Sequence, residues 1–112
     1  MKDIKSHEIT TIFEALIHSR YIAYVVVDKA GIITAVNQTY LNLLEQKLED
    51  VIGKYILDIV PNSKLPEVLK TGKMDTASLW SINGRDTIVC RMPTIKDGKV
   101  VGAIAQSLFL DV

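Results

Sequence analysis

Two dipeptides, Asn83-Gly84 and Asp97-Gly98, constrain this chain more than anything else in it. Asn, Asp and Gly all tolerate the positive φ angles of a two-residue hairpin turn, and each pair lies between runs rich in β-branched residues. The runs cover residues 76–82, 85–95 and 100–110, so the last third of the chain reads as three consecutive antiparallel strands. A second hairpin stands upstream, where Lys29-Ala30-Gly31 separates strands predicted over 23–28 and 32–36.

The segments between and before these strands carry helical spacing. Ile9, Ile12, Phe13, Leu16 and Ile17 recur at i, i+3, i+4, i+7 and i+8, which makes one apolar stripe, with Ser6 as its expected N-cap and His18 and Arg20 in its last turn. Asn37 ends the second strand and is suited to cap a helix bearing Tyr40, Leu41 and Leu44 on one face. Three short helical pieces follow over 48–52, 55–60 and 65–69, stopped by Gly53, by Pro61 and by Thr71-Gly72. The chain thus divides into an amphipathic helix, 1–20, and an α+β domain, 21–112, with short helices on one face of a five-stranded antiparallel sheet.

With 112 residues there is room for one core. Thirteen basic and thirteen acidic residues cancel, which argues against direct contact with nucleic acid. Cys90 is the single cysteine, so no internal disulfide forms, and no zinc-type Cys/His spacing occurs. The N-terminal residues lack the apolar segment of a signal peptide, and no run approaches the ~20 apolar residues that span a bilayer. The expectation is a cytoplasmic domain with no membrane contact.

The order of elements resembles a PAS domain, and particular segments carry the likeness further. Asp28 to Asn37 reads Asp-Lys-Ala-Gly-Ile-Ile-Thr-Ala-Val-Asn, which is similar to the family's first hairpin and its typical Asn. Leu48-Glu49-Asp50-Val51-Ile52-Gly53-Lys54 resembles the Glu-Glu-Leu-Ile-Gly-Lys segment, although Gln46-Lys47 precede it where Ser or Thr commonly caps the helix. Lys96 to Gly102 resembles the final hairpin, and Asp111-Val112 the junction that leads into an output helix. A narrower likeness, at Ile59 to Gly72, is to the N-terminal sensory PAS domains of bacterial sigma-54-dependent activators, which implies downstream AAA+ and DNA-binding domains. No phosphate loop of the Gly-x4-Gly-Lys-Ser/Thr type occurs in this chain.

PAS domains hold haem, flavin, a small metabolite or nothing. The haem ligand of the family is a His on the helices after the first hairpin, whereas His7 and His18 both precede that hairpin. Photoactive flavin domains use a Cys on those helices, where this chain has Tyr55-Ile56-Leu57-Asp58. Neither cofactor is expected, and the resemblance leaves an unidentified small molecule or an empty core. Strand alternation taken with the resemblance turns Val25 and Val27, then Ile88, Cys90 and Met92, then Ala105, Ser107 and Phe109 toward the helices, and leaves Arg91 on the outer face. Tyr40 and Tyr55 complete the candidate pocket, with Trp80 near the same wall. The same alternation fits a plain filled core.

Cys90 without a nearby cation makes a poor redox thiolate. A Glu14–His18 pair would add only ~0.3–0.5 kcal/mol on an exposed helix face. Asn37 reads as structural. No nucleophile and base, no paired carboxylates and no metal cluster can be assembled, so a catalytic role is not expected. The reading is a sensory PAS domain of a signalling or transcription regulator that responds to a small molecule through dimer rearrangement. Ile9, Ile12, Phe13, Leu16 and Ile17 form the expected homodimer contact. The alternative is a ligand-free interaction module.

Overall fold

The computed structural model describes residues 5–110. Helix α1 spans Ser6–Ile17, and strands β1 (Ile22–Asp28) and β2 (Ile33–Val36) form the first hairpin. Helices α2 (Gln38–Leu44), α3 (Leu48–Val51), α4 (Ile56–Ile59) and α5 (Leu65–Thr71) precede strands β3 (Asp75–Ile82), β4 (Arg85–Lys96) and β5 (Lys99–Phe109). The five strands make one sheet in the order β2-β1-β5-β4-β3, with every neighbouring pair antiparallel. None of the helices among the described residues is long and apolar enough to cross a membrane. Asp111-Val112, the expected output junction, lies outside the described residues.

The turns form as their chemistry dictates. Asn83 and Gly84 have φ of 47° and 77°, and Asp97 and Gly98 have 52° and 76°. Positive φ at both central residues is the type I′ requirement, and its twist matches that of the strands on either side.

The helices α2 to α5 cover one face, α2 against β1 and α5 against β4 and β5. Val25, Val27, Val89, Ala103 and Ala105 of the sheet meet Leu41, Ile56, Leu65 and Val68 of the helices in a single buried core. Each large aliphatic side chain buried there contributes roughly 1.5–3 kcal/mol relative to exposure, which holds together helices too short to form alone. Residue 102 admits only Gly: a Cβ there would run into the Val27 carbonyl oxygen and Thr94 Oγ1.

Helix α1 differs from the expectation at both ends. Lys5, not Ser6, occupies its N-cap, with no side-chain cap bond, and Ser6 is the first helical residue. At the other end His18 is the cap residue, so Arg20 lies beyond the helix. No α1 residue is buried, and Ile9, Ile12, Phe13 and Leu16 each remain about half exposed.

Candidate functional site

The helix-covered face of the sheet is built around a buried cation. Arg91 is only 2% exposed and donates from Nη1 to Asp75 Oδ2 at 2.5 Å, its one ion pair among the described residues. Its guanidinium lies 5.5 Å from the centroid of the Trp80 ring. Beside it, burial pushes the Tyr40 phenol well above its ordinary range, and the positive charge of Arg91 opposes that rise. On the same face Ser107 Oγ is buried without a hydrogen-bond partner among the described residues.

This arrangement corrects the strand phase read from sequence. Thr87, Val89 and Arg91 face the helices, while Ile88, Cys90 and Met92 lie on the opposite face and are only partly covered. Arg91 is therefore inside, not on the outer face. The cause is a bulge. The turn at Asp97-Gly98 pairs Lys96 with Lys99 and Ile95 with Val100, but Thr94 then pairs with Gly102, so Val101 is an extra residue on β5. Without the bulge Cys90 would stand opposite Ala105; with it, Arg91 does. The sequence signal was the glycine at 102, because an isolated Gly inside a strand marks a bulge or a close backbone approach.

The remaining pocket candidates divide. Val25, Val27, Tyr40, Ala105 and Ser107 come together, buried, under the helices, and Phe109 is half-buried at the edge of that cluster. Tyr55 does not join them: it is 36% exposed and its ring covers Gly31, where a Cβ would come within 2.7 Å of it. Sequence reasoning missed Asp75 altogether and did not join Trp80 to Arg91, since nothing local relates residues so far apart in the chain.

Asn37 ties the helix layer to the sheet. Its Oδ1 accepts from the Tyr40 and Tyr24 backbone N–H groups, both at 3.0 Å, and its Nδ2 donates to the Ile22 carbonyl oxygen at 2.8 Å. Two residues on, Thr39 Oγ1 donates to the carbonyl oxygen of Ser19, just after α1, at 2.5 Å. This bond joins α2 to the segment that follows α1.

The outer face of the sheet carries a shallow apolar groove of about 190 Å³ between Phe13, Leu16 and Ile17 of α1 and Val26, Met92 and Ile104 of the strands. On the helix side, a cleft of about 240 Å³ opens between α5 and the head of β3, and Asp75 forms part of its wall.

A five-stranded antiparallel sheet with four short helices on one face, and an amphipathic helix ahead of it, defines a small α+β module. The model of the PAS fold matches residues 11–101, and the chain belongs to that family. It is 34% identical over 94 residues to the sensor protein CitS of Halalkalibacterium halodurans, covering 82% of this chain and 18% of that protein. It is 29% identical over 108 residues to a probable C4-dicarboxylate sensor kinase of Bacillus subtilis, covering 94% of this chain and 20% of the relative. The chain thus spans about a fifth of the length of these curated relatives. Among solved structures, the PAS domain of Bordetella pertussis BvgS superposes with a TM-score of 0.65 at 17% identity, covering 94% of this chain and 88% of that one. The chain is a PAS domain of the kind found in signal-transduction proteins.

Proposed function

We propose that this domain is a relay within a longer bacterial sensor protein, taking up a small molecule between helices and sheet and passing the event on by rearranging a homodimer. The observation that carries the reading is α1. Its apolar stripe is half exposed and continues into the apolar groove on the outer sheet face, and surface of this kind is stabilised by a partner. The hydrogen bonds of Asn37 tie α2 to β1, and that of Thr39 ties α2 to Ser19 just after α1, a mechanical link from the helix layer toward α1. A ligand shifts the dimer only by the difference in its affinity for two arrangements, so a site that moves α2 is required.

The relatives are sensor proteins, so we assign the output to a sensor protein of that kind rather than to the AAA+ and DNA-binding domains that the narrower sigma-54 likeness implied. We assign the domain to the cytoplasm and give it no catalytic step of its own.

Size-exclusion chromatography with light scattering tests the dimer. The chain should run as a dimer at micromolar concentration, and Leu16→Glu, which alters a half-exposed position, should give a folded monomer. A monomeric wild type at high micromolar concentration would remove the reading. The second reading, a ligand-free dimerisation module, is favoured by how completely the helices fill the sheet face; native mass spectrometry that finds a bare dimer supports it.

A further inference from the structure

We propose that the cleft between α5 and the head of β3 admits a small carboxylate metabolite, which reaches Arg91 by displacing Asp75. The proposal rests on the small-molecule reading above and names the ligand's chemistry.

An arginine so deeply buried needs an anion beside it, because an uncompensated charge in the interior is costly. Asp75 supplies that anion from a poor anchorage. Its side chain is 39% exposed, and it is the first residue of β3, an edge strand whose pairing with β4 shifts register between Asp75 and Ser78. The inner partner of the pair is fixed within the sheet and stacked on Trp80; the outer partner opens onto solvent. A planar carboxylate from outside presents the same two oxygens to the same guanidinium fork.

The cleft reaches Asp75, the outer partner of that pair, while Arg91 itself does not line it. Lys64, Glu67 and Lys73, all exposed, line it together with Val68 and Asp75. Once Asp75 swings outward, the two lysines and Arg91 outnumber Glu67 in facing the ligand. A compact metabolite with one carboxylate on Arg91 and a second anionic group near the lysines fits both this charge pattern and a cleft of about 240 Å³. Ser107, diagonal to Arg91 across the strand pair because Val89 stands opposite it, is a buried hydroxyl without a partner among the described residues, available to a ligand atom that penetrates past the guanidinium. Displacing Asp75 frees the start of β3, and contact with Arg91 alters the surroundings of Tyr40 on α2, the helix tied to the segment that follows α1.

The test uses the full 112-residue chain, titrated with succinate, butyrate and inorganic phosphate while amide and Arg91 Nε–H resonances are followed. Succinate should give saturable shifts at Lys73, Asp75 and Arg91, with butyrate weaker. Asp75→Asn, which removes the competing carboxylate, should bind succinate at least tenfold more tightly than the wild type and gain thermal stability from it. Lys73→Glu, at an exposed position, should weaken binding severalfold without altering the fold. Asp75→Asn that binds succinate no better than wild type would overturn the proposal, as would phosphate binding equally to both. Native mass spectrometry of the same samples separates the two readings. A neutral adduct held without any shift at Arg91 sinks the carboxylate site and leaves a sensor; no adduct and no shift with any probe removes both.

Discussion

Arg91 and Ala105 face each other across β4 and β5, one residue out of step with the register that the Asp97-Gly98 turn sets. The step is taken at Gly102, whose missing side chain lets β5 lie against the Val27 carbonyl oxygen. Gly102→Ala should therefore destabilise the domain by about 3 kcal/mol, since the atom it would meet is backbone and cannot rotate away. Gly98→Ala adds a Cβ in open space at a φ of 76° and should cost about 1 kcal/mol. Urea unfolding of both variants checks the ranking, and equal losses would mean the bulge is not what requires glycine.

If the bulge sets the phase, the smaller side chain matters more on β4. Val89 is fully buried under the helices, whereas Ile88 lies on the partly covered outer face. Val89→Ala should cost about 2 kcal/mol, and Ile88→Ala about 1 kcal/mol despite removing more atoms. The reverse order, read from unfolding midpoints, would restore the unbulged register.

How far the sequence revealed this fold depends on which signals are local. The turns, the capping Asn37 and the strand runs are properties of a few adjacent residues, and they appear in the structure where the residues indicate. The phase of β4 is not local. It depends on an extra residue ten positions away on the next strand, and both faces of β4 offer apolar side chains: Ile88, Cys90 and Met92 outside, Val89 inside. With Thr87 and Arg91 among the inward residues, hydropathy pointed the wrong way. Burying Arg91 requires Asp75 and Trp80, and only the folded sheet brings those together.

Asn37 is buried and makes three hydrogen bonds to backbone groups of two elements. An ordinary N-cap is worth about 1 kcal/mol, but Asn37→Ala also strands the Tyr24 N–H and the Ile22 carbonyl group at the start of β1, so we expect a loss of about 3 kcal/mol. Asn37→Ser, which retains a capping oxygen but not the amide donor, should recover part of it. Equal losses in the two variants, measured by urea unfolding, would show that the strand contacts and not the cap dominate.

Tyr40 provides a test that needs no ligand. Its folded-state phenol titrates well above the ordinary value, with burial the larger cause, while in the unfolded chain it titrates near ~10. Above pH ~10 the unfolded state therefore loses a proton that the folded state keeps, and stability falls as pH rises; below that range the phenol is neutral in both states and contributes no slope. The decline attributable to this group should approach about 1.4 kcal/mol per pH unit, and Tyr40→Phe should lack it. The stability difference between wild type and variant, followed by urea unfolding from pH 8 to pH 11.5, is then flat at first and shrinks, or changes sign, once the phenol titrates in the unfolded chain. A difference that stays constant throughout would mean that the hydroxyl titrates as freely in the folded protein as in the unfolded one, and that α2 does not seal this side of the Arg91 cluster from water.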